Sequence, residues 1–192
     1  LANNENFAEF PSKFNYPKEI EKQCILFLGL NPSSSNQQKA FEHYELYHKD
    51  NSHPYFKKFQ DISKYCQKQW AHLDLLYFRE TKQNNVQNIL RKEFGLNFIC
   101  QQLLITDYLI KQAEPTIIVV CNTLSRMFLG FEKNSDKNKW LEYEFSFDDS
   151  IGTYRWNSIP IFFSSMLTGQ RALDVGSYER LRWQIKRTLQ LM

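Results

Sequence analysis

The side chains best suited to chemistry in this chain stand at the ends of apolar runs. Gly29-Leu30-Asn31-Pro32-Ser33 follows the run Cys24–Leu28, and a polar turn continuing through Ser34, Ser35 and Asn36 lets the neutral amide of Asn31 project into a crevice. Asp74 interrupts the apolar run Leu73–Phe78. An ionised carboxylate only accepts hydrogen bonds, so Asp74 either meets a ligand that presents donors or pairs with Arg79. Gly169-Gln170-Arg171-Ala172-Leu173-Asp174 is the most distinctive string. Either Arg171 and Asp174 pair at i, i+3 in a helical turn, or the loop offers Gln170 and Arg171 to a partner.

Other chemistries lack their residue patterns. His43, His48, His53 and His72 do not have H-E-x-x-H spacing, and Cys24, Cys66, Cys100 and Cys121 form no C-x-x-C pair, so no metal site is expected. Neither a Walker A string nor G-x-G-x-x-G is present, and no cofactor is expected. A net charge of +3 permits a polyanionic partner without requiring one. Aromatic residues make up 16% of the chain, enough that some rings should lie near the surface, where they either stack on bases or cap the core. Without a signal-peptide pattern or an apolar run approaching about 18 residues, a cytoplasmic, non-membrane protein is expected.

The elements that must hold these residues alternate between two periods. Cys24–Leu28, Leu73–Phe78, Thr116–Val120 and Ile159–Phe163 read as strands buried on both faces, as in a parallel sheet. Phe56, Phe59 and Ile62 after Pro54, the segment Phe98–Gln112, and Leu181, Ile185 and Leu189 within Tyr178–Leu191 have helical spacing. Asn122 is placed to cap a short helix, and the polar stretch 131–158, with Gly152, reads as a hairpin or excursion. The expectation is an α/β chain: one domain over 1–192, a three-layer α/β/α sandwich around a mainly parallel sheet of about four strands, with residues 1–19 as an N-terminal arm. Ligands of such sheets bind beyond the carboxyl ends of the strands, which gathers the loops Gly29–Ser35, Arg79–Lys82 and Ser164–Asp174 around one crevice.

In this order the motifs resemble the uracil-DNA glycosylase superfamily, closest to its mismatch-specific uracil/thymine branch. Gly29-Leu30-Asn31-Pro32 is similar to the branch's G-[IL]-N-P motif, His53-Pro54 to its His-Pro helix start, Asp74–Arg79 to its second-strand segment ending in Arg, and Ile118–Gly130 to a strand-to-helix segment ending in Leu-Gly. The resemblance implies a DNA-repair hydrolase that cleaves the N-glycosidic bond of a damaged or mismatched base after the base leaves the stack. It implies that Asn31 positions the attacking water, that Gly29, Leu30, Pro32, Ser33, Asp74 and Arg79 surround the substrate, and that Met166, Leu167, Thr168, Gln170 and Arg171 contact DNA, an apolar residue wedging between base pairs. DNA, single-stranded or mismatched, is then the expected partner of a monomer.

The chain departs from that pattern at three places. Met166-Leu167-Thr168 stands where many members carry His-Pro-Ser. Asn51 occupies the place of a ring that stacks on the extruded base, with Tyr44, Tyr47 and Tyr55 as substitutes nearby. Asp74 replaces an Asn that reads uracil, and an ionised carboxylate there favours a base edge with two donors, such as that of guanine. A catalytically silent nucleic-acid-binding module of the same fold, or an enzyme acting on a free nucleoside or nucleotide, is the alternative.

Overall fold

A computed structural model of the protein describes residues 10–17, 20–33, 53–130, 141 and 143–192, and residues 41–44 as backbone only. Among these residues the apolar runs form a six-stranded sheet. Strands β1 (Phe14–Pro17) and β3 (Phe41–Tyr44) make a separate parallel pair. The main sheet contains β2 (Ile25–Gly29), β4 (Trp70–Asp74), β5 (Ile117–Val120), β6 (Phe145–Asp148), β7 (Thr153–Trp156) and β8 (Ile159–Phe163), in the order β4-β2-β5-β8-β7-β6. The first four in that order are parallel. The expectation of about four strands is corrected to six, because β7 and β6 extend the parallel set as an antiparallel hairpin. That hairpin lies in the stretch read as a hairpin or excursion. Its turn contains Gly152 at φ +66°, a conformation that side chains with a Cβ rarely adopt.

Alternation along the strands divides the core in two. Ile25 and Phe27 pack with Phe59 and Ile62 of α1 (Lys57–Cys66) and with Tyr178, Leu181 and Ile185 of α5 (Val175–Leu191). Leu26 and Leu28 point the other way. They pack with Val86 and Ile89 of α2 (Gln83–Ile89), Ile99, Leu103 and Ile110 of α3 (Gly95–Ala113), and Phe128 and Leu129 of α4 (Thr123–Leu129). Truncating a fully buried ring such as Phe59, stacked on Phe27 at 4.6 Å, costs about 3–5 kcal/mol on the scale of core deletions.

Several boundaries differ from the sequence reading, for local reasons. The second strand is Trp70–Asp74 rather than Leu73–Phe78, because Leu75–Phe78, though equally buried, leaves the sheet after Asp74. The Tyr77 and Phe78 amides donate instead to the buried Gln102 Oε1 of α3, at 2.8 and 3.2 Å. Helix α3 begins earlier than expected, at Gly95. Helix α1 follows a 3-10 turn over Pro54–Phe56. The expected cap is present, since Asn122 Oδ1 accepts from the Leu124 amide at 2.8 Å. Of the expected N-terminal arm, Phe10 is buried and stacks on Phe98 at 4.7 Å, and Phe14–Pro17 is β1.

Chain direction creates the crevice. From β2 the chain moves to β4 on one side and then crosses back to β5 on the other, so the space beyond the carboxyl ends of β2 and β5 is a topological switch point. No described helix is long and apolar enough to cross a membrane.

Candidate functional site

Beyond the switch point the loops after β2 and β4 are stitched together. The Leu75 and Leu76 amides donate to the Gly29 and Leu30 carbonyls at 3.2 and 2.9 Å, and the Glu80 amide donates to Pro32 O at 2.9 Å. Asn31 completes the seam: its Nδ2 donates to the carbonyls of Glu80, Pro32 and Phe78 at 2.7, 3.0 and 3.4 Å. Those bonds fix which way the amide faces, and Oδ1 has no partner among the described residues. Asn31 is therefore more than a projecting turn residue, as it also ties two strand ends together. Arg79 Nη1 donates to Ser33 O at 3.0 Å, a bond that closes the same seam.

This seam forms one wall of a cavity of about 870 Å³, within the range of small-ligand sites. Gly29, Leu30, Asn31, Pro32, Ser33, Asp74 and Arg79 line it, and so do Met166, Leu167, Gln170 and Arg171 from the loop after β8. Thr168, expected as a DNA contact, is half-buried and is not among the lining residues. The loop turns at Gly169 (φ +87°) and closes through Leu173 N–H donating to Met166 O at 2.9 Å. Asp174 does not pair with Arg171; its carboxylate caps α5 by accepting from the Ser177 amide and hydroxyl at 3.0 and 2.6 Å. Arg171 is exposed, as is Lys82, and both line the cavity.

The floor of the cavity was not foreseen. Trp70, His72 and Asp74 alternate on one face of β4, and His72 is enclosed by rings: Phe59 stacked at 5.5 Å, with Tyr55 and Phe56 edge-on at the same separation. Tyr55 Oη lies 3.2 Å from His72 Nε2, and Asp74 Oδ1 lies 3.7 Å from that nitrogen. Burial pushes His72 down to about 3, so the imidazole is neutral and the approach of Asp74 is not an ion pair. Burial pushes Asp74 up to about 7 against the opposing pull of Arg79, so both its acid and its carboxylate forms occur near neutrality. Burial and, after it, the Asp74 charge hold the Tyr55 phenol well above its ordinary range. Tyr55, considered as a substitute for the stacking ring, lines the cavity, and so do Phe56, Phe59, His72, Cys121 and Asn122, which were not singled out as substrate contacts.

Of the residues considered from sequence, Asn51, Tyr47 and His48 lie outside the described residues, as do the side chains of Tyr44 and His43. Among the described residues no three His, Cys, Asp or Glu side chains gather in a group that could hold a metal ion. Compared with family models, curated proteins and solved structures, the chain gives no match.

Proposed function

We propose that the chain is a DNA-base N-glycosylase-like protein that hydrolyses the N-glycosidic bond of a damaged or mismatched base, acting in DNA repair as a cytoplasmic, monomeric α/β/α sandwich. The observation that carries this reading is convergence. Asn31, Asp74 and, from the loop after β8, Met166, Leu167, Gln170 and Arg171, drawn from three separate segments on the strength of their motifs, line one cavity at the switch point. Rings on the floor suit a planar base, and Arg171 and Lys82 at the rim suit the phosphates beside it.

In this reading an extruded base enters over the Tyr55–Phe56–Phe59 cluster with its edge toward Asp74. The C1′–N bond breaks, its electron pair leaving on the base; a water held by Asn31 Oδ1 adds to the sugar carbon, and the proton it gives up passes to the departing base anion. A neutral amide orients that water without taking its proton, so the contribution of Asn31 is positional. Asn31 can play this part because its Nδ2 is already held by backbone carbonyls.

One observation favours a second reading, the catalytically silent nucleic-acid-binding module. Met166-Leu167-Thr168 offers no ionisable group where the resemblance calls for a histidine. Single-turnover incubation with oligonucleotides carrying mispaired and deaminated bases, followed by alkaline cleavage of abasic sites, separates the two. Base release lost on Asn31→Ala supports the glycosylase; binding without release from any substrate supports the silent module.

A further inference from the structure

Among the described residues Asp74 is the one buried carboxyl that lines the cavity. The residue is 6% exposed, and its side chain makes no hydrogen bond with any described residue. His72 Nε2, at 3.7 Å, lies beyond hydrogen-bond length. The groups around it come from every neighbouring element: His72 on β4, Tyr77 and Arg79 after it, Tyr55 from the 3-10 turn, and Cys121 after β5. Burial holds Tyr55, Tyr77 and Cys121 protonated and His72 neutral, leaving Arg79 as the cation of the set, and its guanidinium is bonded to Ser33 O. A carboxyl in that setting keeps or loses its proton near neutrality, with burial pushing it up to about 7. Its two forms differ in hydrogen bonding, because the acid presents one donor and one acceptor and the carboxylate presents acceptors only.

We propose that Asp74 selects the bound base and that its proton sets the selection, the acid taking a base edge of one acceptor and one donor, as in uracil, and the carboxylate taking an edge of two donors, as in guanine. The proposal rests on the reading that the cavity receives a nucleobase, and it does not require that the base be cleaved. Gly29 is part of the device. Any Cβ there would collide with Asp74 Oδ1 and approach His72 Nε2 to 3.1 Å, so the bare backbone lets the carboxyl lie over the end of β2.

The test is nucleoside binding. Deoxyuridine and deoxyguanosine are titrated into the whole protein by ligand-observed NMR at about pH 5.5 and about pH 8.5. A ligand that binds one protonation state alone changes its apparent affinity roughly 30-fold over that interval for a midpoint near 7. Deoxyuridine affinity should fall and deoxyguanosine affinity should rise with pH, while Asp74→Asn should bind deoxyuridine with the same affinity at both. A pH-independent preference in the wild type, an unchanged dependence in Asp74→Asn, or failure of both nucleosides to bind overturns the proposal. The wild-type comparison alone decides the matter if the variant does not fold. Switching of preference without base release from oligonucleotides overturns the glycosylase reading and leaves this inference standing, and release without switching does the reverse.

Discussion

The Asp74 carboxyl occupies the space that a side chain at Gly29 would need. The two residues are register partners on adjacent parallel strands, and a Cβ built on Gly29 runs into Asp74 Oδ1. Gly29→Ala should therefore destabilise the fold by about 1–3 kcal/mol, the usual cost of overpacking. In an Asp74→Ala background the clash is gone, so the same substitution should cost less. A double-mutant cycle by denaturant melts checks this, and additive effects would show that the space at Gly29 is reserved for something else.

Asp74 and His72 titrate with opposite consequences for stability. Asp74 is raised from its ordinary value to about 7, so the native state holds a proton that the unfolded chain has lost; its stabilisation is complete below about 4 and disappears as pH rises to about 7. His72 is lowered to about 3, so the unfolded chain binds a proton that the native state refuses, and stability falls with pH between about 6.5 and about 3. Between about 4 and about 6.5 the two slopes cancel. Asp74→Asn should leave the histidine slope uncovered, with stability rising by about 1.4 kcal/mol per pH unit relative to wild type over that window. Melts at several pH values measure it; parallel curves would mean that Asp74 does not hold its proton in the fold as described.

The strands that position the site were legible because β2, β5 and β8 are continuous β-branched or apolar runs closed by Gly, Pro or a polar turn. The floor was less legible. Leu73–Phe78 looks like a strand because burial alone sets its composition, yet the ladder runs over Trp70–Asp74. Reading that strand from Trp70 exposes the alternation Trp70, His72, Asp74, and with it the partner that Asp74 meets. The hidden signal was periodic. The donor bonds of Asn31 had no signal at all, since they reach residues 78 and 80, whose backbone course only the fold determines. The pairing of β1 with β3 was equally unforeseeable, because neither strand has an apolar run of its own.

If the cavity receives a base of DNA, as proposed, nucleic-acid binding should depend on charges at the cavity rim and along α5. Arg171 is exposed without an ion pair among the described residues, and farther along α5 the guanidinium of Arg187 lies over the half-exposed ring of Trp183, at 5.3 Å. Removing one phosphate-contacting cation lowers the slope of log affinity against log salt by about 0.7 for single strands and about 0.9 for duplex. Arg171→Ala should do so in anisotropy titrations with single-stranded and mismatched oligonucleotides. Lys111→Ala is the control, because Lys111 pairs with Asp107 on α3, which packs on the opposite face of the sheet. Equal effects of the two substitutions would reduce the interaction to net charge.

Asn31 is where stability and activity should part company. Its Nδ2 donates to three carbonyls, so Asn31→Ala should cost about 1–3 kcal/mol through the acceptors left unpaired. Asn31→Asp keeps the oxygen that faces the cavity but turns the donor into a second oxygen aimed at those carbonyls, so it should be the less stable of the two. The glycosylase reading predicts the reverse order for chemistry. Asn31→Ala removes the acceptor that positions water and should slow base release by about 10² or more, while Asn31→Asp retains that acceptor and should lose less. Denaturant melts and single-turnover release, measured on both variants below their melting temperatures, place them on the two scales. If release follows stability, with Asn31→Asp the slower, Asn31 acts only by tying the two strand ends together.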